Sequence, residues 1–329
     1  MKLKERLRLF IRHNRVILLF RLMLDAFYEA CSQSKHLGAS NMMRDEVKFA
    51  ADLCIRTHAI EKGMSIGSVR MGFGQPKVLA LIDDLLLYVS RFPLVSIDES
   101  MAVIANYIDF NRTNGCPVEA VEARYEVLKK AYTLKEEMAA GIAICSKADT
   151  IEATKAPFDV FSQSRCSIRD FDTETIVDIN DIISAVDIAR KAPSACNRQS
   201  AFAHIYQGER ARELFDFQGG CNGFGHDMQY AVLVTADMRR YFINERHQMY
   251  VDGGLFAMQL LLSLHYKGLA TIPLTTAYKT RQTQRLKKNF DIPPHEVPVM
   301  IIGIGAYKES YKVAVSHRNS VDTYYQVHR

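Results

Sequence analysis

The sequence predicts an α+β protein built in two parts. Its first 150 residues repeat apolar positions at helical spacing and show no strand pattern, whereas the remainder alternates helices with strands. Two continuous apolar runs in the second part, Ala231–Val234 and Val299–Ile302, have the composition of buried strands. A chain of 329 residues is also long for one hydrophobic core. We therefore expect an all-helical domain at residues 1–155 and a sheet flanked by helices at residues 156–329.

Composition and charge exclude several classes of protein. Hydrophobic residues make up 48% and charged residues 24% of the chain, as in globular proteins and unlike disordered or fibrous ones. The net charge is +5, and much of it lies in the first 21 residues, where seven basic side chains face a single acid, Glu5. The rest of the chain is near neutral, so we expect no nucleic-acid partner.

The cysteines indicate a reduced, cytoplasmic protein. There are seven, an odd number, and no pair of them has the spacing of a zinc site or of a disulfide framework. His58 and Glu61 stand three apart on one predicted helix face, but no second pair of ligands accompanies them. We interpret them as a hydrogen-bonded pair and predict no metal site.

The N-terminus is basic and then apolar, which predicts an amphipathic helix at residues 3–30. Its apolar run, Val16–Phe20, is too short to span a membrane. We expect this helix to pack onto its own domain. The alternative that stays open is a helix lying on an anionic membrane surface, which would make the protein membrane-peripheral within the cytoplasm.

Further helices are predicted in the first part from apolar spacing, and Pro76 suits the first turn of one of them. They cover residues 42–60, 76–92, 98–111 and 118–140. In the second part, a helix at residues 178–191 is ended by Pro193, which disfavours helical backbone at the residue before it. It is followed by strands at 201–207, 230–235, 270–276 and 297–306, a long apolar helix at 248–266 and a short basic helix at 280–289.

Two motifs in the second part indicate ligand binding. Arg165-Cys166-Ser167-Ile168-Arg169 offers two guanidinium groups around a hydroxyl, donors that suit a phosphate or another anionic group. Pro193-Ser194-Ala195-Cys196-Asn197-Arg198-Gln199 offers amide donors and acceptors that suit a flat ring with polar edges.

The order and spacing of these motifs resemble the nitroreductase family of flavin enzymes. The resemblance covers roughly residues 158–320 and extends to the loop Ile272-Pro273-Leu274 and to Arg318, which follows the last strand. The family implies a mixed sheet flanked by helices and a homodimer with FMN at the subunit interface. It also implies that hydride passes from NADH or NADPH to flavin N5 and then to a small-molecule acceptor.

The resemblance also implies roles for individual residues. Arg165, Ser167 and Arg318 would hold the phosphate and ribityl end of FMN, and Arg169 would lie at the N1/O2 edge of its ring. Asn197 would face the pyrimidine edge or the ribityl hydroxyls. The remaining implied contacts are a wall formed by Pro193, Ser194 and Gln199, a ring contact by Pro273 and Leu274, and Cys166 lining the pocket. No side chain is expected to be catalytic, because the flavin carries the chemistry.

The chain differs from the common family pattern at two places. Leu274-Thr275 stands where many members have an acidic residue and a glycine, and Ser316 stands where many have a second basic residue. The leading hypothesis is an FMN-dependent NAD(P)H oxidoreductase, with quinones or nitroaromatics as surrogate acceptors. One alternative is a specialised FMN dehydrogenase or dehalogenase on the same fold. The other is a flavin-binding partner protein with little turnover, whose helical part docks to an assembly.

Overall fold

The computed structural model of this chain describes residues 14–36, 42–135, 138–242, 245 and 247–328. The predicted helices of the first part are present, although residues 3–13 of the predicted N-terminal helix lie outside the described residues. Their bounds are α1 Arg15–His36, α2 Glu46–Met64, α3 Gln75–Arg91, α4 Asp98–Thr113 and α5 Glu119–Ala131. Helix α5 ends earlier than expected, because the chain becomes extended at Tyr132.

Helices α2 to α5 enclose one hydrophobic core. Asp45 caps the start of α2 by accepting a hydrogen bond from the Lys48 N–H at 3.1 Å, and Pro76 lies in the first turn of α3. The apolar faces then meet in a cluster that includes Phe49, Leu81, Leu85, Ile104, Tyr107 and Leu128. We call residues 42–135 the helical half.

One strand of the structure falls where we expected only helix. Strand β1, Ile142–Ser146, pairs antiparallel with β7, Ser310–Ala314, at the other end of the chain. The expectation of a purely helical region before residue 155 is therefore wrong at this segment. Its five residues show too short a pattern to be recognised, and its partner is remote in sequence. Two short helices follow, α6 Lys147–Ala153 and α7 Phe158–Ser164.

The second part forms a five-stranded sheet with helices on both faces, which confirms the α+β class. The strands lie in the order β2-β6-β4-β3, with β5 also beside β6, and each described pairing is antiparallel rather than mixed in direction. Their bounds are β2 Phe171–Asp172, β3 Ala201–Gln207, β4 Tyr230–Asp237, β5 Ala270–Thr275 and β6 Glu296–Tyr307. The helices are α8 Ile179–Ala189, α9 Glu209–Gln218, α10 Gln248–Tyr266 and α11 Thr280–Asn289.

Helix α10 is the element that positions the site. It packs with α8 on one face of the sheet, where Leu260 and Leu264 are fully buried, while α9 and α11 cover the other face. Near its start the helix approaches β6 so closely that a Cβ on Gly253 would lie 2.6 Å from a methyl group of Val299. This glycine therefore permits close packing of helix and sheet.

Helix α1 does not pack as expected. The side chains of Val16, Leu19, Phe20, Met23 and Phe27 are 57–76% exposed. The expectation that this apolar face packs onto its own domain is therefore wrong. Among the described residues, no helix is long and apolar enough to cross a membrane.

Candidate functional site

Arg165 follows directly after α7, and the end of that helix is held by a buried histidine. His265 of α10 places Nε2 2.7 Å from Ser164 Oγ, while the ring of Phe161 stacks on the imidazole with centroids 5.3 Å apart. Burial, together with the nearby Arg165 charge, lowers the pKa of His265 to about 4. The imidazole is therefore neutral near pH 7 and serves to fix the chain that leads into Arg165.

The guanidinium of Arg165 has an unused donor. Its Nη1 is buried and has no hydrogen-bond partner among the described residues. A buried donor without an acceptor is unfavourable, so this atom suits an anionic ligand that would accept its hydrogen bond. Ser167, two residues on, adds a hydroxyl to the same segment.

Arg169 is the second cation of this segment, and its whole side chain is buried. It is 8% exposed, and Nη1 makes a long hydrogen bond of 3.4 Å to the carbonyl of Ser167. Burial lowers its pKa to about 10, so the guanidinium stays charged at neutral pH. Burial also raises the pKa of the intervening Cys166 to about 11, which keeps that side chain a neutral thiol and argues against a nucleophilic role. The Ile168 N–H donates to the Thr271 carbonyl at 2.9 Å and so fastens the segment to β5.

The helical half reaches this segment through the loop after α2, a contact that sequence patterns did not predict. A Cβ on Gly67 would collide with Asp170 Oδ1, which itself pairs with Lys308 Nζ at 2.5 Å. Lys312 Nζ donates to the Ile66 carbonyl at 2.8 Å. Burial, and then the Arg169 charge, lower the pKa of Lys62 at the end of α2. The helical half therefore brings its own charges beside Arg169.

The second motif forms a strained turn. Its Ala195–Asn197 segment is a 3₁₀ turn, and Cys196, Asn197 and Gln199 have φ values of 51°, 53° and 50°. Left-handed backbone at residues other than glycine costs roughly 1–3 kcal/mol each and often marks a functional site. Cys196, Asn197 and Gln199 are all exposed, which fits a turn that presents polar groups to a ligand.

The strained turn is held by Asp252, which is only 2% exposed. Its Oδ2 accepts hydrogen bonds from the Ala195 N–H at 3.1 Å and the Tyr241 hydroxyl at 2.7 Å, and its Oδ1 accepts one from Gln248 Nε2 at 2.8 Å. Ser194 Oγ accepts from the Gln199 N–H at 2.9 Å. These bonds to a charged acceptor offset the strain of the turn.

Arg198 lies within the motif, but its guanidinium already interacts with other residues of the protein. It forms two hydrogen bonds of 2.7 Å to Glu245 and lies 4.8 Å from the centre of the Tyr241 ring. The hydrogen bonds from Arg198 lower the pKa of Glu245 to about 2. Arg198 therefore supports the turn, and the ligand-facing groups are its neighbours.

A single chain does not bring the two motifs together. Arg165 adjoins His265 near the end of α10, whereas Ala195 bonds Asp252 near its start. At 1.5 Å of rise per residue, these two positions on the helix are about 20 Å apart.

The other implied ligands also lie apart. Leu274 is 8% exposed and packs in the core cluster on the α9 face of the sheet, whereas Pro273 is half-buried on the opposite face. Arg318 is exposed and donates from Nη1 to the Ser316 carbonyl. Its neighbours His317 and Asn319 line a cavity of 420 Å³ against the helical half. No cluster of metal-binding side chains occurs among the residues that the structure describes.

Comparisons with known proteins agree with the motifs. Residues 163–218, which contain both motifs, match the family model described as "Nitroreductase family". The chain is 23% identical over 180 residues to "Putative NAD(P)H nitroreductase YodC" of Bacillus subtilis (strain 168), with 44% of this chain and 86% of that protein covered.

Solved structures that match this chain cover about half of it. One is a nitroreductase-like protein from Streptococcus mutans, with a TM-score of 0.44 and 19% identity, covering 51% of this chain and 96% of that one. Another is a "putative nitroreductase in complex with FMN" from Exiguobacterium sibiricum 255-15, with a TM-score of 0.46 and 18% identity, covering 53% and 98%.

The fold and the two motifs define an α+β domain in which two arginines, Arg165 and Arg169, lie in one short segment and a strained turn presents polar groups. The resemblance to the nitroreductase family is confirmed by the match of residues 163–218. The helical half precedes those matched residues as an added N-terminal region.

Proposed function

We propose that this chain is an FMN-dependent oxidoreductase that takes hydride from NADH or NADPH and passes it to a small-molecule acceptor. The observation that carries the proposal is the buried, partnerless Nη1 of Arg165 inside the segment that matches the family model. Bound FMN would supply the hydride chemistry, and quinones or nitroaromatics would serve as surrogate acceptors.

The residues of the first motif fit the two charged regions of FMN. The Arg165 guanidinium and the Ser167 hydroxyl would hold the phosphate. Arg169 would lie at the N1/O2 edge, where a buried cation stabilises negative charge that develops on reduction. Asn197 and Gln199 would supply amide groups to the pyrimidine edge or the ribityl chain.

The distance between the motifs favours a site shared by two chains. If Arg165 and Asn197 contact the same FMN, we infer that they come from different protomers, because the α10 residues that hold their segments, His265 and Asp252, are about 20 Å apart along the helix. The outer face of α10 carries Val251, Leu255 and Met258 at 43–51% exposure, a surface that a second copy would cover. We therefore propose a homodimer with two identical composite sites.

The test of the function is the cofactor of the purified protein. We expect a yellow protein that releases FMN on heating, identified by chromatography, and whose flavin absorbance bleaches with NADH or NADPH. FAD in its place, or no flavin after reconstitution, would overturn the proposal. A flavin-loaded protein that neither nucleotide reduces would instead be a flavin-binding partner protein.

The composite site is tested by mixing two defective variants. Arg165→Ala and Asn197→Ala should each bind FMN poorly as homodimers. When they are unfolded and refolded together, mixed dimers should contain one intact site, so about one quarter of the sites should regain wild-type affinity. Each variant refolded alone is the control. No recovery in dimers shown to be mixed would mean that both residues serve the same site within one chain.

A further inference from the structure

Helix α1 presents a continuous apolar face to solvent. Val16, Leu19, Phe20, Met23 and Phe27 recur at the three- and four-residue spacing that places side chains on one side of a helix, and each is 57–76% exposed. Large exposed apolar patches on soluble proteins mark surfaces that contact a partner or a membrane. We therefore expect a partner molecule or a membrane to cover this face.

The side of α1 away from this face is mixed, because it carries charged side chains as well as the apolar Leu18 and Leu22. By helical spacing, Arg21 and Asp25 lie on the side away from Phe20 and Met23, and both are exposed. No helix in the described part of the chain is long and apolar enough to span a membrane. The pattern is thus that of a helix that lies along a surface rather than through it.

The charge of residues 1–21, the stretch that leads into α1 and includes its first turns, indicates the kind of surface. Residues 1–21 carry seven Lys and Arg side chains and one acid, whereas the rest of the chain is near neutral. The basic residues are Lys2, Lys4, Arg6, Arg8, Arg12, Arg15 and Arg21. Anionic lipid headgroups attract such a cluster, each Lys or Arg near the surface strengthening the binding.

We propose that α1 docks on an anionic membrane surface, with its apolar face in the boundary between headgroups and acyl chains. A second copy of the same helix is the less favourable occupant, because pairing would bring two basic segments of like charge together. A membrane would neutralise that charge and cover the apolar face at once. This role is independent of flavin binding, since α1 contributes no residue to either motif.

The experiment is co-sedimentation of the full-length protein with vesicles. We expect binding to phosphatidylcholine vesicles that contain phosphatidylserine, little binding to phosphatidylcholine alone, and release by high salt. The double variant Phe20→Gln/Phe27→Gln should bind about tenfold more weakly or worse, because it removes two large buried contacts with the acyl region. Phe202→Gln is the matched control, as Phe202 is a 55% exposed phenylalanine of the sheet.

Three outcomes would overturn the proposal. The first is no binding to vesicles that contain phosphatidylserine. The second is an equal loss of binding in the double variant and in Phe202→Gln, which would make the attraction unspecific. The third is a reduction in oligomer size, without vesicles, in the double variant alone, which would identify a second copy as the occupant. Flavin content, measured in the same samples, should be unchanged in all variants.

Discussion

Replacing Arg165 with alanine should lower the affinity for FMN while leaving the stability of the FMN-free protein nearly unchanged. The Nη1 of Arg165 is buried without a partner, a situation that costs about 1–3 kcal/mol in the ligand-free protein. Arg165→Ala removes this unfavourable free energy but also loses the packing of the aliphatic part of the side chain. We expect the two effects to offset, leaving the free energy of unfolding without FMN within about 1 kcal/mol of wild type.

The affinity for FMN should fall strongly in the same variant. A charge-assisted hydrogen bond contributes about 1.5–3 kcal/mol, and each 1.4 kcal/mol is a factor of ten. The dissociation constant should therefore rise about 10- to 150-fold. Fluorescence titration with FMN measures the affinity, and urea denaturation of the FMN-free protein measures the stability.

A surface arginine gives the matched control. Arg210 forms exposed pairs with Glu213 and Asp291, so Arg210→Ala should leave FMN affinity unchanged. If Arg165→Ala instead lowers the free energy of unfolding by about 3 kcal/mol or more and leaves FMN affinity intact, Arg165 is a structural residue and the proposed phosphate site is wrong.

Three further predictions concern other residues of the site. Arg169→Ala should lower the midpoint potential of bound flavin and slow its reduction by NAD(P)H, because negative charge appears at the ring edge only on reduction. Its loss of FMN affinity should be smaller than that of Arg165→Ala. Titration against a reference dye measures the potential, and an unchanged potential would contradict the prediction. Asp252→Ala should lower the free energy of unfolding by about 2–4 kcal/mol, because three donors lose a charged acceptor. Asp252→Asn should recover most of that loss. If thermal melts show the same loss of stability in both variants, the hydrogen bonds of Asp252 are unimportant. Burial lowers the pKa of His265 to about 4, so between about pH 6.5 and 4 the unfolded chain binds a proton that the folded protein does not. Stability should therefore fall on acidification through that window by on the order of 3 kcal/mol, and His265→Gln should lose this dependence in urea titrations at several pH values.

Local sequence patterns determined most of the helices and the cations of the site. Helix α10 was predictable because apolar residues recur at helical spacing along its length, and the helix observed at Gln248–Tyr266 matches the predicted range. Arg165 and Arg169 belong to one short segment, so their proximity follows from the chain itself. The family resemblance rests on the same local order of residues, and the match of residues 163–218 confirms it.

Pairing between distant segments was not predictable in the same way. Strand β1 lies at residues 142–146, yet its partner β7 is near the end of the chain. Likewise, nothing in the pattern around Gly67 indicates that this loop meets Asp170. The outward-facing apolar side of α1 was also missed, because periodicity identifies an apolar face without showing what covers it.

The sequence by itself determined which residues carry the proposed chemistry, since charge, amide groups and spacing are properties of local segments. Only the tertiary structure decided how those segments lie relative to one another. The two motifs are 28 positions apart in the chain, from Arg165 to Pro193, and no local pattern fixes the distance between them. Asp252 and His265 instead hold them at opposite ends of α10, because the packing of a long helix against a sheet is set by contacts among residues remote in sequence.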